Sequence, residues 1–359
     1  MNQTPSLFNE PTFAPATRVD PAAQAKRGPS IVVKNSPLTP SHVFDTYWQF
    51  ATERQRIFFR RLRGEPSPWT EDGILLEHKF TNAYRASDRV SQYLIRHVIY
   101  TGEQAPEEVF FRTMLFKFFN RIDTWQLLTR EIGELRWCDY TFEAYDKVLT
   151  DAMERGEKIY SMAYIMPSAN TFGHGRKHRN HLALLERMMA DRLPQRLQAC
   201  PNMAGAFELL LSYPSLGNFL AYQFVTDLNY SQMLDFSEME FVIPGPGALD
   251  GIQKCFKSIG DWSEADVIRI VAESQDAEFE RLGLDFPSLW GRPLQLIDCQ
   301  NLFCEVDKYS RVAHPEVAGR TGRKRIKQHF KPIGKPVTYW YPPKWGINEQ
   351  IVKSGTQAI

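Results

Sequence analysis

In the stretch FTNAYRASDRVSQYL, Asn82, Arg85, Arg89 and Gln92 recur at spacings of three and four residues, with Asp88 beside them. On a continuous helix that spacing gathers the four on one face, while Phe80, Tyr84, Val90 and Leu94 turn toward the core. Asn and Gln amides match the edges of nucleobases, and arginine matches phosphate or carboxylate. The plain alternative is a solvated face laced with helix ion pairs.

Three carboxylates sit where proton transfer is conceivable. Asp235 and Glu238 lie in MLDFSEMEF, with Glu240 close behind. Asp298 follows an apolar run in LQLIDCQNLFCEVDKYSRV, ahead of Gln300, Asn301, Glu305, Asp307 and Lys308 on the helix expected there. Each Asp has a competing role as a helix N-cap, so Asp235 and Asp298 are rivals for one catalytic position.

Two turns bracket the first pair of carboxylates. YPSLGNFLAYQ, residues 213–223, is similar to the hairpin of helix-hairpin-helix DNA-binding motifs, in which Gly permits the turn and exposed amides at the next helix start meet a phosphate. That likeness puts Ser215, Gly217 and Asn218 on a phosphate. VIPGPGALDGI, residues 242–252, is its rival: Pro244 to Gly247 make a rigid loop in which Gly245 and Gly247 allow close backbone approach. In FGHGRKHRNH, His174, His178 and His181 invite a zinc reading. The cationic neighbours Arg176, Lys177 and Arg179 oppose it, no Cys joins the set, and a phosphate-contacting loop fits the charge better.

These residues need elements to hold them. Long stretches of helical period separated by short breakers define a mainly α chain. Helices are expected over 41–63, 77–100, 106–132, 142–155, 180–199, 204–211, 217–228, 248–258, 263–282 and 300–311. Residues 1–38 have scattered Pro and no sustained period, which reads as a disordered arm. A catalytic body is expected over 39–312 and a basic, aromatic tail over 313–359.

Formal net charge is +1, which by itself argues against a polyanionic partner. Its distribution argues the other way: from Arg311 to Trp345 nine Lys or Arg meet one acid, Glu316. Arg323, Lys324 and Arg325 lead this run, and VTYWYPPKW supplies aromatics, a pattern suited to backbone neutralisation and stacking. The five cysteines form no CxxC pair and read as reduced core thiols, and neither a membrane-length apolar run nor signal-peptide architecture is seen, so the expected compartment is cytoplasmic. No GxxxxGK[ST] sequence and no four-cysteine cluster occur, so no kinase activity of its own, iron–sulfur cluster, metal or other cofactor is expected.

Several long motifs in one order carry a resemblance: WQFATERQRIFFRRLRG, PWTEDGILLEHKFTNAYRASDRVSQYLI, YPSLGNFLAYQFVTDLNYS, DFSEMEFVIPGPGALDGIQKCF and LIDCQNLFCEVDKY. Over roughly Ser41 to Phe330 the chain resembles the alpha-glutamyl/putrescinyl-thymine pyrophosphorylases, also called amino acid:DNA transferases, relatives of the helical domain of hydroxymethyl-uracil DNA kinases. The resemblance implies a DNA-glycosylase-like helical fold with helix-hairpin-helix elements. It implies double-stranded DNA with a modified pyrimidine as substrate, a free amino acid or other amine as donor, and no membrane partner. It leaves two activities open. One is transfer of the amine onto phosphorylated 5-hydroxymethyl-uracil; the other is excision of a hypermodified base, such as a glucosylated hydroxymethyl base, as antiphage defence. Both require a flipped nucleotide. On this reading Asp235 is the base, Asp298 or Glu238 supports it, and Arg85, Arg89 and Lys308 hold the leaving phosphate or the donor carboxylate.

Overall fold

A computed structural model describes residues 37–331 and 338–353, with side chains described up to residue 351. The expected N-terminal arm therefore lies, apart from its last two residues, outside the described residues.

Helix α1, His42–Leu62, starts where Ser41 accepts the Val43 amide at 3.1 Å, a cap contributing about 1 kcal/mol. It ends at Gly64, whose φ of 71° suits glycine. Asp72 caps the short α2, Gly73–Glu77, through the amides of Ile74 and Leu75.

The chain then departs from the single helix expected over 77–100. Residues 78–84 are irregular, Arg85–Ser87 form one 3-10 turn, α3 covers Arg89–Leu94, and a π turn covers Ile95–Ile99. The cause is tertiary. The Thr81 amide donates to Glu305 and its carbonyl accepts from Arg54, the Asn82 amide donates to Asp88, and the Arg85 amide donates to Asp298. With these backbone groups satisfied by buried side chains, helical bonds are not needed to hold the segment. Asn82, Arg85, Arg89 and Gln92 consequently do not share a helix face.

The expected 106–132 helix is two, α4 (Pro106–Phe119) and α5 (Ile122–Ile132), broken at Asn120 in the left-handed region. α4 is buried nearly all round by Phe110, Phe111, Met114, Leu115 and Phe118. After α6, Phe142–Glu154, the expected 180–199 helix is likewise split, into α7 (Lys177–Ala190) and α8 (Leu193–Gln198), at left-handed Arg192. α9, Met203–Leu211, and α10, Asn218–Asn229, pack together across the 212–217 turn, where Ser215 has φ 67°.

Helix α11, Pro246–Cys255, runs into strand β2, Phe256–Ser258, which pairs antiparallel with β1, Thr39–Pro40. α12, Glu264–Glu273, opens with a Ser263–Asp266 capping box and is followed by α13, Gln275–Arg281. α14, Leu296–Ala313, starts four residues before the expected boundary. Its contact with α11 is close because α11 presents glycine: a Cβ on Gly247 would collide with Cys304 Sγ, and one on Gly251 with the Phe303 carbonyl.

The segment after α14 lies along the body. The Lys79 amide donates to the Gln328 carbonyl at 3.0 Å and the Phe330 amide to the Glu77 carbonyl at 2.8 Å. Tyr339 and Tyr341 are buried, and a final helix α15, Asn348–Lys353, carries buried Ile347 and Ile351 beside and within it. No helix among the described residues is long and apolar enough to cross a membrane.

Candidate active site

On α10, Phe219, Gln223 and Asp227 recur at spacings of four, and the last two bind Arg85 of the 3-10 turn. The Arg85 guanidinium donates to Gln223 Oε1 at 3.0 Å, to Asp227 Oδ1 at 2.7 Å and to the Tyr230 hydroxyl at 3.1 Å. From α4, Lys117 Nζ lies 3.0 Å from Asp227 Oδ2 and donates to Asn120 Oδ1 at 2.9 Å. All three charged side chains are buried. Burial opposes the guanidinium charge, but Asp227, together with Tyr230 and Tyr164, outweighs it and holds Arg85 firmly protonated. Burial also pushes the Asp227 carboxyl up, yet Arg85 and Lys117 together hold it below its ordinary value. Burial pulls the Lys117 ammonium down. Arg85, Lys117 and Asp227 thus form one buried charged centre.

An aromatic pair covers that centre. Lys117 Nζ sits 4.8 Å from the centroid of Tyr164, and Tyr164 lies parallel to Phe219, with an interplanar angle of 2° and centroids 5.7 Å apart. Tyr164 stands in the left-handed region with φ 54°, in a loop whose neighbouring Met162 and Ile165 project into solvent. Gln300 on α14 completes the polar wall, accepting from Gln223 Nε2 at 3.4 Å. A Cβ on Gly245 would lie 2.8 Å from the Phe219 ring.

Asp298 and Asp88 flank the Arg85 turn. Asp298 is the third residue of α14 and forms a capping box, accepting the Gln295 amide at 3.0 Å through Oδ2 and the Arg85 amide at 2.7 Å through Oδ1. The N-cap-type role has won there, with both carboxylate oxygens committed to backbone. Asp88 is less committed: its Oδ1 accepts the Asn82 amide at 2.9 Å, and it makes no cap bond to α3. Burial pushes each carboxyl up to about 7. At Asp298 the bonds from Gln295 and Arg85 oppose the shift and Glu238 adds to it; at Asp88 the Asn82 bond opposes it and Glu305 adds to it.

The other two expected carboxylates form a second group nearer the surface. Glu238 pairs with Arg292 at 2.7 Å, and the Arg292 guanidinium stacks 3.8 Å over Trp345. Asp235 was expected at a helix start; it instead lies in an irregular stretch between α10 and α11, with its side chain 88% exposed and Lys344 Nζ 3.4 Å away. The Lys344 ammonium is lowered by burial, against Asp235, and donates to the Leu234 carbonyl at 2.6 Å. The C-terminal segment thus supplies Trp345 and Lys344 to this group.

The remaining candidates are dispersed. Gln92 is buried and binds the Ala86 carbonyl and the Trp340 amide, so it pins the C-terminal segment. Asn82 binds Arg54 and the Ser87 carbonyl. Lys308 pairs with Glu305 at 2.7 Å over the Phe80 ring. Arg89 is exposed at the start of α3. Gly217 and Asn218 are exposed at the start of α10, where no side chain caps the helix. Gly247 is occupied in packing against α14. Arg176 pairs with Glu154, and Lys177 sits 4.4 Å over Tyr160. His178 and His181 are core residues, bound to Asp146 and Tyr160 respectively. Arg323, Lys324 and Arg325 are exposed in an irregular segment next to buried Ile326. Lys117, Tyr164, Phe219, Gln223, Asp227, Tyr230 and Gln300 were missed. The spacing 219–223–227 was the available signal; it begins inside the motif singled out for its turn and runs four residues past it.

Residues 41–319 match the family model described as the helical domain of 5-hmdU DNA kinase, and the chain belongs to that family. A curated relative, the 5-hmdU DNA kinase of Bacillus phage SP10, is 27% identical over 300 residues, covering 78% of this chain and 47% of the phage protein. The chain therefore spans about half the length of that relative. No solved structure matches it.

Proposed function

We propose that the chain is a DNA-modifying enzyme that transfers an amino acid or other amine onto phosphorylated 5-hydroxymethyl-uracil in DNA. The observation that carries this reading is the buried Arg85–Asp227–Lys117 centre, with Asp88, whose carboxyl burial raises to about 7, within electrostatic reach of Arg85. The name of the phage relative supports the substrate class: a 5-hmdU DNA kinase makes the phosphoester that this step would consume.

The target base leaves the helical stack and enters beneath Tyr164 and Phe219, once the Tyr164 loop lifts. Gln223 and Gln300 offer amides to the base edge. Asp88 takes a proton from the ammonium of the donor, which is not nucleophilic while charged. The freed amine attacks the 5-methylene carbon, forming a C–N bond as the C–O bond breaks, and the phosphate leaves with the electron pair toward Arg85 and Lys117. The N-terminus of α10 at Gly217 and Asn218, together with Arg323, Lys324 and Arg325, holds backbone phosphates. Asp298 positions Arg85 by fixing its amide, and Asp235 and Glu238 lie outside the reacting centre.

Digesting treated DNA to nucleosides and measuring their masses tests the reaction type. A heavier nucleoside that appears only with an added amine is expected. Free base and abasic sites would instead assign the site to excision, and unchanged nucleosides across a panel of amines would overturn transfer.

A further inference from the structure

His42, in the first turn of α1, and Glu316, just past the end of α14, are 274 residues apart in sequence, yet His42 Nε2 lies 3.1 Å from Glu316 Oε1. His314, which closes α14, brings its Nδ1 to 3.8 Å from the same oxygen. One ligand atom from each of the three residues falls within 4.8 Å of the others.

We propose that His42, His314 and Glu316 bind a zinc-class divalent metal that staples the start of α1 to the end of α14. Two imidazoles and one carboxylate are donors that zinc accepts, with water completing the tetrahedron; calcium and magnesium prefer oxygen-only sets. The site has the outer support that metal-bound histidines usually show. Thr46 Oγ1 lies 2.8 Å from His314 Nε2, and with Nε2 as the protonated nitrogen the Nδ1 lone pair faces Glu316. The C-terminal end of an 18-residue helix also favours a cation beside His314.

A second His–His–Glu cluster, Glu77, His78 and His329, has similar spacing, with Glu77 Oε1 3.7 and 3.8 Å from the two rings. It lacks that support, because the far nitrogen of His78 is buried without a hydrogen-bond partner. Nothing fixes its tautomer, so the first cluster is the better ligand set.

The test uses the full chain stripped of metal with a chelator and titrated with zinc against a chromophoric competitor, alongside thermal melts. One equivalent is expected in the parent protein and in His329→Ala, with a zinc-dependent rise in melting temperature. His42→Ala and Glu316→Gln alter exposed side chains and are expected to lose that equivalent. Thr46→Ala should weaken it about 10- to 100-fold. Absence of saturable zinc in the parent, or full retention of the equivalent in both His42→Ala and Glu316→Gln, would overturn the site and leave His42–Glu316 as a surface ion pair.

Discussion

Asp298 Oδ1 accepts the backbone amide of Arg85 at 2.7 Å, so the first turn of α14 fixes the turn from which the buried guanidinium projects. Asp298→Ala would strip acceptors from two buried amides and is expected to cost about 2 kcal/mol, read from urea unfolding. The cost should depend on pH. Burial raises the folded carboxyl from 3.8 to about 7, so the folded state holds the proton more tightly than the unfolded state does. The contribution of Asp298 is then greatest near pH 4 and is eroded as pH rises through 7. The mutational cost should be larger at pH 5 than at pH 8.

Asp227→Ala is expected to be among the most damaging single changes. It leaves Arg85 and Lys117 buried without a counter-charge, a loss of about 3–5 kcal/mol. Chemical denaturation of the single variant checks this. A second substitution, Lys117→Met, should recover part of the loss, because one of the stranded charges is then gone.

The two glycine turns separate by packing. Gly251→Ala drives a methyl group into the Phe303 carbonyl, and a loss of about 1–3 kcal/mol or more is expected. At Gly217 a Cβ meets nothing within 4 Å and φ is −83°, so Gly217→Ala should leave the melting temperature nearly unchanged. In the loop at 244–247, Gly247 serves helix packing; the turn before α10 is the one with open space in front of it.

Much of the fold was legible in the sequence. The helix expected over 41–63 is α1, with Ser41 as its cap, and the periods over 142–155, 204–211 and 217–228 matched helices within a residue or so. The site was legible only in part. Asn82, Arg85 and Gln92 looked like one helix face because their spacing is helical, but Glu305, Asp298 and Arg54 reach in from more than twenty residues away and take the backbone bonds. No local window contains those partners. Asp235 had the local look of a cap and yet starts no helix, whereas Asp298 sits in the first turn of α14 and accepts the amide of its N-cap, Gln295. The breaks at Asn120 and Arg192 depend on left-handed residues that are not glycine, which sequence reasoning has little means to anticipate.

The exposed basic segment should act uniformly on DNA of any sequence. Replacing Arg323, Lys324 and Arg325 with Ala is expected to weaken binding to unmodified duplex. The slope of log affinity against log salt should fall by about one for each phosphate no longer neutralised. Fluorescence anisotropy over a salt series measures it. An unchanged slope would remove these residues from the DNA surface.

Asp88, beside the Arg85–Lys117 centre, is the group proposed to take the proton from the incoming amine. Its carboxyl is raised to about 7, and a base works only when deprotonated, so the rate should climb with pH and level off above about 7. The decisive measurement is the single-turnover rate of amine transfer onto phosphorylated 5-hydroxymethyl-uracil DNA, followed across pH for the parent and for Asp88→Asn. The substitution should lower the plateau rate about 10²- to 10⁴-fold and abolish the rising limb near 7. A variant with the parent rate and the parent pH profile would contradict the assignment of Asp88 as the base.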